Sequence, residues 1–161
     1  MTGTYRFADK VIRFTSIYPK VHEMCRDYRC EEEPDFTFCI TPEALEKERQ
    51  FQEKIRVRGG KSPADLEILL VYRMISEEMP RYDTFLFHGS AIAVDNKAYV
   101  FAAPSGTGKS THARLWRELL GDRAVMVNDD KPLIRVTEEE SIIFGTPWNG
   151  KHHLSRNIAV P

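Results

Sequence analysis

Ala103-Pro104-Ser105-Gly106-Thr107-Gly108-Lys109-Ser110-Thr111 is the stretch on which the reading of this chain turns. Its form, A-x-x-x-x-G-K-S, is that of a loop that wraps backbone N–H groups around a phosphate. Side chains must not obstruct that approach, which is why glycines stand at 106 and 108. Lys109 supplies a compact positive charge for β- and γ-phosphates, and Ser110 a hydroxyl for Mg²⁺. A helix that starts here also turns its positive end toward the anion. The candidate nucleotide-binding residues are therefore Ser105, Gly106, Thr107, Gly108, Lys109, Ser110 and Thr111. The plainer alternative is a flexible glycine turn with a surface lysine.

Outward from the loop, the context favours the phosphate reading. Ala98–Ala102 is a short apolar, aromatic-rich run that predicts a buried strand. After the loop, Ala113, Leu115, Trp116, Leu119 and Leu120 recur at helical spacing, and Gly121 is a suitable stop. Upstream, Thr84–Val94 predicts one strand, turned back by Asp95-Asn96-Lys97 into the strand that feeds the loop. A hairpin in that position predicts a mixed sheet, unlike a doubly wound parallel one. Downstream, Ala124–Val127 predicts a strand, and Leu133–Val136 and Ser141–Phe144 two more around an acidic turn.

Asn128-Asp129-Asp130 ends the strand at 124–127. A magnesium nucleotide needs a carboxylate near a neighbouring strand end to hold the metal. Two adjacent carboxylates permit one to face Mg²⁺ and the other to take a proton from an attacking hydroxyl. Asp129 is placed with Ser110 on the metal and Asp130 on the hydroxyl, although the residues alone leave that division open. A simple strand-to-turn Asn-Asp-Asp is the alternative.

Four motifs in order carry a resemblance: Phe85-Leu86-Phe87-His88-Gly89-Ser90, the loop at 105–110, Asn128-Asp129-Asp130, and Gly145-Thr146-Pro147-Trp148-Asn149-Gly150-Lys151. Together they resemble the HPr kinase/phosphorylase catalytic domain, which shares its nucleotide core with phosphoenolpyruvate carboxykinases. The resemblance covers roughly residues 84–155. It implies an α/β fold with a mixed-sheet P-loop core of that type over 83–161, preceded by a small α+β region over 1–82. It also implies that His88 belongs to the active site with Lys109, Asp129 and Asp130. Ala103 departs from the glycine usual at that position, which a negative φ accommodates. The family core continues past the Thr-Pro-Trp segment, so the chain is expected to be C-terminally truncated. An open sheet edge then predicts disorder over 145–161 or self-association.

The first 80 or so residues predict one or two strands over 5–15, a short helix after Pro19 and a strand at Phe36–Ile40. Thr41-Pro42 opens a charged helix with Leu45, Phe51 and Ile55 as its sparse apolar face. Gly59-Gly60-Lys61 reads as a break, and Ser62-Pro63 opens a largely apolar helix to about Met79 that belongs in a core. The spacing of His22, Cys25, Cys30 and Cys39 lacks the tight cysteine pair of a structural zinc site. Cys39 reads better as a small buried hydrophobe. Of the remaining histidines, His112 faces either nucleotide or solvent, and His152-His153 reads as a surface pair.

Composition sets outer limits. Forty-two per cent of the 161 residues are hydrophobic and the net charge is −1, so a polyanion partner such as nucleic acid is not implied. No run reaches membrane-spanning length, and the first residues lack a signal-peptide stretch, which predicts a cytoplasmic protein. The leading functional expectation is an ATP- and Mg²⁺-dependent kinase that transfers a γ-phosphoryl group to a hydroxyl on a protein, peptide or small metabolite. A non-catalytic nucleotide-binding accessory or regulatory protein is the main alternative. A carboxykinase-type lyase ranks behind both, because its substrate arginines and second metal site have no counterpart here.

Overall fold

The computed structural model describes residues 1–55, 61–150 and 154–161. The chain is α/β, with four α-helices and three sheets among the described residues, and it divides into two compact units, Met1–Glu77 and Glu78–Pro161. The division falls ahead of Pro80. Among the described residues no helix is long and apolar enough to cross a membrane.

In the first unit, β1 (Thr2–Phe7) and β2 (Lys10–Thr15) form an antiparallel hairpin. Its tip holds Ala8 and Asp9 in the left-handed region, at φ 49° and 61°. β3 (Phe36–Cys39) then pairs parallel to β2. Residues alternate across the pleat in β1, so Tyr5 and Phe7 are buried while Arg6 is exposed, and β2 buries Val11, Ile12 and Phe14. The same alternation corrects the expectation for Cys39. Phe36 and Phe38 take the sheltered positions and leave Cys39 exposed. α1 (Lys20–Met24) brings His22 into the aromatic core, where its ring stacks on Phe14 at 5.0 Å.

α2 (Pro42–Lys54) starts where Thr41 Oγ1 accepts from the Ala44 N–H at 3.2 Å. Its inner face is carried by Leu45 and Glu48, whereas Phe51 and Ile55 are exposed. The Glu48 carboxylate is buried against Arg73 of α3 (Pro63–Glu78), 2.8 Å away, and the Arg73 guanidinium lies 4.0 Å over the Phe51 ring. An ion pair therefore occupies the place the apolar pattern assigned to Phe51. α3 buries Leu66, Leu70, Val71 and Ile75 together with Glu67. The predicted break at Gly59-Gly60 lies outside the described residues.

The second unit holds two sheets, antiparallel throughout. One runs β6-β5-β7, from β5 (Ser90–Val94), β6 (Lys97–Phe101) and β7 (Ala124–Asn128). The other runs β10-β9-β8-β4, from β4 (Thr84–Leu86), β8 (Leu133–Val136), β9 (Ser141–Phe144) and β10 (Ala159–Val160). Central β5 is buried at every position, and its alternation serves two layers. Ile92 and Val94 pack with Met126 against Ala113, Trp116 and Leu120 of α4 (Lys109–Leu120). Ala91 and Ala93 pack with Val127, Ile143 and Val160.

Four expectations are corrected here. The strand predicted over 84–94 is two strands in different sheets. Its break has a non-local cause: the Phe87 and Gly89 N–H groups donate to Pro132 O and Asp130 O, each at 3.0 Å, instead of to a sheet neighbour. The strand feeding the loop, β6, is a half-exposed edge of a sheet that is antiparallel, not mixed as expected, and the only parallel pairing among the described strands is β2–β3 of the first unit. On α4, Leu115 and Leu119 point to solvent, at 50% and 84% exposure, because the sheet meets the Ala113–Trp116–Leu120 stripe. Finally, the segment over 154–161, expected to be disordered, is placed against the sheets. β10 pairs with β9, Gly145 N donates to Ile158 O, Arg156 N to Val127 O, and Ala98 N to Pro161 O. Gly145 permits this crossing, since a Cβ there would lie 1.7 Å from Arg156 O. His152 and His153 lie outside the described residues.

Candidate functional site

β6 delivers the glycine loop, and the loop is held open by two residues in the left-handed region, Gly106 at φ 84° and Gly108 at φ 99°. Between them Thr107 folds back, its Oγ1 donating to Pro104 O at 2.7 Å. Gly108 is the N-terminal cap of α4 and contributes no side-chain cap. The first N–H groups of the helix thus have no acceptor within it, and they carry its positive partial charge. The Lys109 ammonium donates to the loop's own Ala103 O at 2.9 Å.

β7 delivers the acidic turn. Asn128 is fully buried and works from both ends of its amide. Its Oδ1 accepts from the Asp130 and Lys131 N–H groups at 2.8 and 2.6 Å, and its Nδ2 donates to Thr146 O and Oγ1. Thr146 Oγ1 in turn donates to Lys131 O at 2.7 Å. The turn is therefore fastened on both sides, and the two carboxylates meet different surroundings. Asp129 is 4% exposed and accepts from Ser90 Oγ at 2.8 Å. Asp130 is a third exposed, and one of its oxygens lies 3.3 Å from His88 Nε2.

His88 sits in the break between β4 and β5, and the Gly89–Asp130 backbone bond brings it beside Asp130. Desolvation and the cations Lys131 and Lys109 hold its pKa below the ordinary histidine value, against the opposite pull of Asp130. The imidazole is thus neutral near pH 7.

These parts line one cleft of about 550 Å³. Ser105, Gly106, Gly108, Lys109, Ser110 and Thr111 form one wall. His88, Asp129, Asp130 and Gly150 form the other. Of the sequence-predicted residues, only Thr107 turns away. It faces an adjoining recess of about 410 Å³ between Phe101, Ala103, His112 and Leu115. His112 is exposed and meets the Phe101 ring edge-on at 4.6 Å there.

Three contributors escaped the sequence reading. Ser90 orients Asp129, and Asn128 sets the turn. Gly150 lets a backbone rest on the Asp129 carboxylate, since a Cβ there would lie 2.9 Å from Oδ2. Each stood in a quoted motif, but the long-range pairing that gives it a role has no local signature.

Ser110 and Asp129 are hard oxygen donors on facing walls, a set that suits Mg²⁺ held by one or two protein groups plus phosphate oxygens. Among the described residues, no group of three or more His, Cys, Asp or Glu comes together as a metal cage. In the first unit Cys25 is buried, with its thiol pKa pushed up by desolvation, while Cys30 is half-buried. No protein-family model matches the chain, and comparison with curated proteins returns no match.

Proposed function

We propose that the second unit is an ATP-dependent phosphotransferase with a core of the HPr kinase type, acting on a hydroxyl acceptor. One observation carries the reading: a single cleft joins an uncapped helix start, a lysine and a serine hydroxyl to two carboxylates in unequal surroundings. Chemistry on a phosphoryl group is mainly positioning and charge stabilisation, and these are the groups it needs.

The loop N–H groups and Lys109 bind the phosphates, Lys109 exchanging its loop carbonyl for phosphate oxygens. Ser110 and Asp129 would hold Mg²⁺, which would supply positive charge to the phosphoryl group. Ser90 and Gly150 keep Asp129 in one orientation. Asp130 takes the proton of the acceptor hydroxyl as the hydroxyl oxygen bonds to the γ-phosphorus and the bond to the bridging oxygen breaks, releasing ADP. Neutral His88 steadies the Asp130 oxygen it faces, leaving the other to the acceptor. The recess beside Thr107, with His112, Phe101 and Leu115, suits the flat base of the nucleotide.

Calorimetry with MgATP tests the reading. Lys109→Ala is expected to weaken binding by about tenfold or more, the loss of a charge-assisted contact. Equal affinity in wild type and variant removes the loop from nucleotide binding. Tight MgATP binding without transfer to any hydroxyl acceptor favours the accessory role instead.

A further inference from the structure

α4 has two apolar stripes, and the sheet covers one of them, Ala113–Trp116–Leu120. The other is Leu115 and Leu119, one turn apart and 50% and 84% exposed. On the flank toward β6 it is widened by Trp116 and exposed Tyr99, whose rings lie 5.2 Å apart. The opposite flank is charged. Arg114 and Glu118, both exposed, stand there one turn apart and pair with each other. Each precedes one of the leucines by a single position, so the charged flank repeats the spacing of the stripe.

We propose that this face of α4 docks a second copy of the chain, the two helices antiparallel about a two-fold axis. Such a contact sets one patch against itself, so the patch must be self-complementary. This one is. An axis through the middle of α4 sets Leu115 against the partner's Leu119 and Arg114 beside the partner's Glu118. Symmetry repeats each contact, so two leucine contacts and two ion pairs form together. Parallel packing would instead set the charged flank against the aromatic one, which fixes the direction. The interface is a helix face and not the open sheet edge from which self-association was expected, and it stands independently of the phosphotransferase reading. A single helix pair is small among specific interfaces, so the dimer is weak, with a dissociation constant on the order of 100 µM.

Analytical ultracentrifugation of the whole chain, over concentrations spanning that value, tests this. Leu119→Glu alters a side chain already in solvent and is expected to weaken association by about tenfold or more. Arg114→Glu and Glu118→Arg each set like charges across the axis, twice over. Each is expected to weaken association by about three- to tenfold, and by less in high salt. The deciding sample is an equimolar mixture of R114E and E118R. Each of these chains carries a like-charged pair within its own helix, and mixing leaves that pair as it is. Only contacts between chains can then change, and the acidic face of one variant meets the basic face of the other. The mixture is expected to recover association close to that of wild type. A wild-type chain that stays monomeric at every concentration overturns the proposal. So does undiminished association of L119E, or a mixture no more associated than its two components alone.

Discussion

Both units bury charged or titratable groups, but they satisfy them differently. In the first unit, Glu67 is fully buried and both its oxygens are taken, by the Ile17 and Tyr18 N–H groups at 2.6 and 2.9 Å. Glu48 is engaged by Arg73 and Gln52, and His22 bonds Tyr5 through Nδ1 and Met1 O through Nε2. In the second unit, among the described residues, one Asp129 oxygen accepts from a side chain, Ser90 Oγ, and Asp130, Lys109 and Ser110 turn toward a cleft. Saturated partners inside a core mark groups that build a fold. Unequal partners beside open space mark groups held ready for something else.

The sharpest way to break this contrast is Asp130→Asn. Loss of the proposed general base predicts a transfer rate lower by about 10²- to 10⁴-fold, with MgATP affinity held within about twofold. Quenched-flow measurement of ADP formation with an acceptor peptide, beside calorimetry, checks both halves. An undiminished rate would return the acidic pair to the status of a turn.

Glu67→Ala probes the other side. It orphans two backbone N–H groups and leaves a void, so the first unit should lose about 2–4 kcal/mol in urea unfolding followed by circular dichroism. MgATP affinity should not change. A variant that unfolds normally and loses nucleotide binding would invert the assignment of the two units.

The histidines give a subtler test. Burial lowers the pKa of His22, and desolvation with neighbouring lysines lowers that of His88. For each, the folded state resists protonation, so stability from the neutral ring is full above the ordinary value of about 6.5 and falls as pH drops through it. At His88 acidification also sets an imidazolium against the Asp130 base. The transfer rate should fall on an acid limb centred below about pH 6.5, and His88→Asn should remove that limb. An unchanged limb in the variant detaches His88 from Asp130.

Gly150→Ala is the mildest change. The new Cβ presses on Asp129 Oδ2 and forces it to shift. A few-fold increase in the Mg²⁺ concentration needed for tight ATP binding is expected, about 1 kcal/mol. Unaltered Mg²⁺ dependence would show that Gly150 is only a turn residue.

What the sequence made legible was local. Gly106, Gly108 and Lys109 lie within four positions of one another, and the helix behind them shows its period within a dozen residues. Thr41-Pro42 likewise carries its cap on its face. The break after Leu86 was hidden, because Phe85-Leu86-Phe87 continues an apolar run and the bonds that interrupt it come from Asp130 and Pro132. Ser90 and Asp129 are 39 positions apart, so nothing near either announces the pair. β10 is two residues long, too short for any alternation to show. Leu115 and Leu119 looked like core because a helix can present either of two apolar stripes, and only the sheet decides which one it covers.

Two tryptophans occur in the chain, and the first unit contains neither. Trp116 lies 5.2 Å from Tyr99 and 6.0 Å from His112, beside the recess, and Trp148 is 7% exposed in the segment leading to Gly150. The molecule is thus optically lopsided. Indole emission excited at the red edge reports the second unit alone, and backbone ellipticity reports both, so the two melting curves can be told apart with no dye attached.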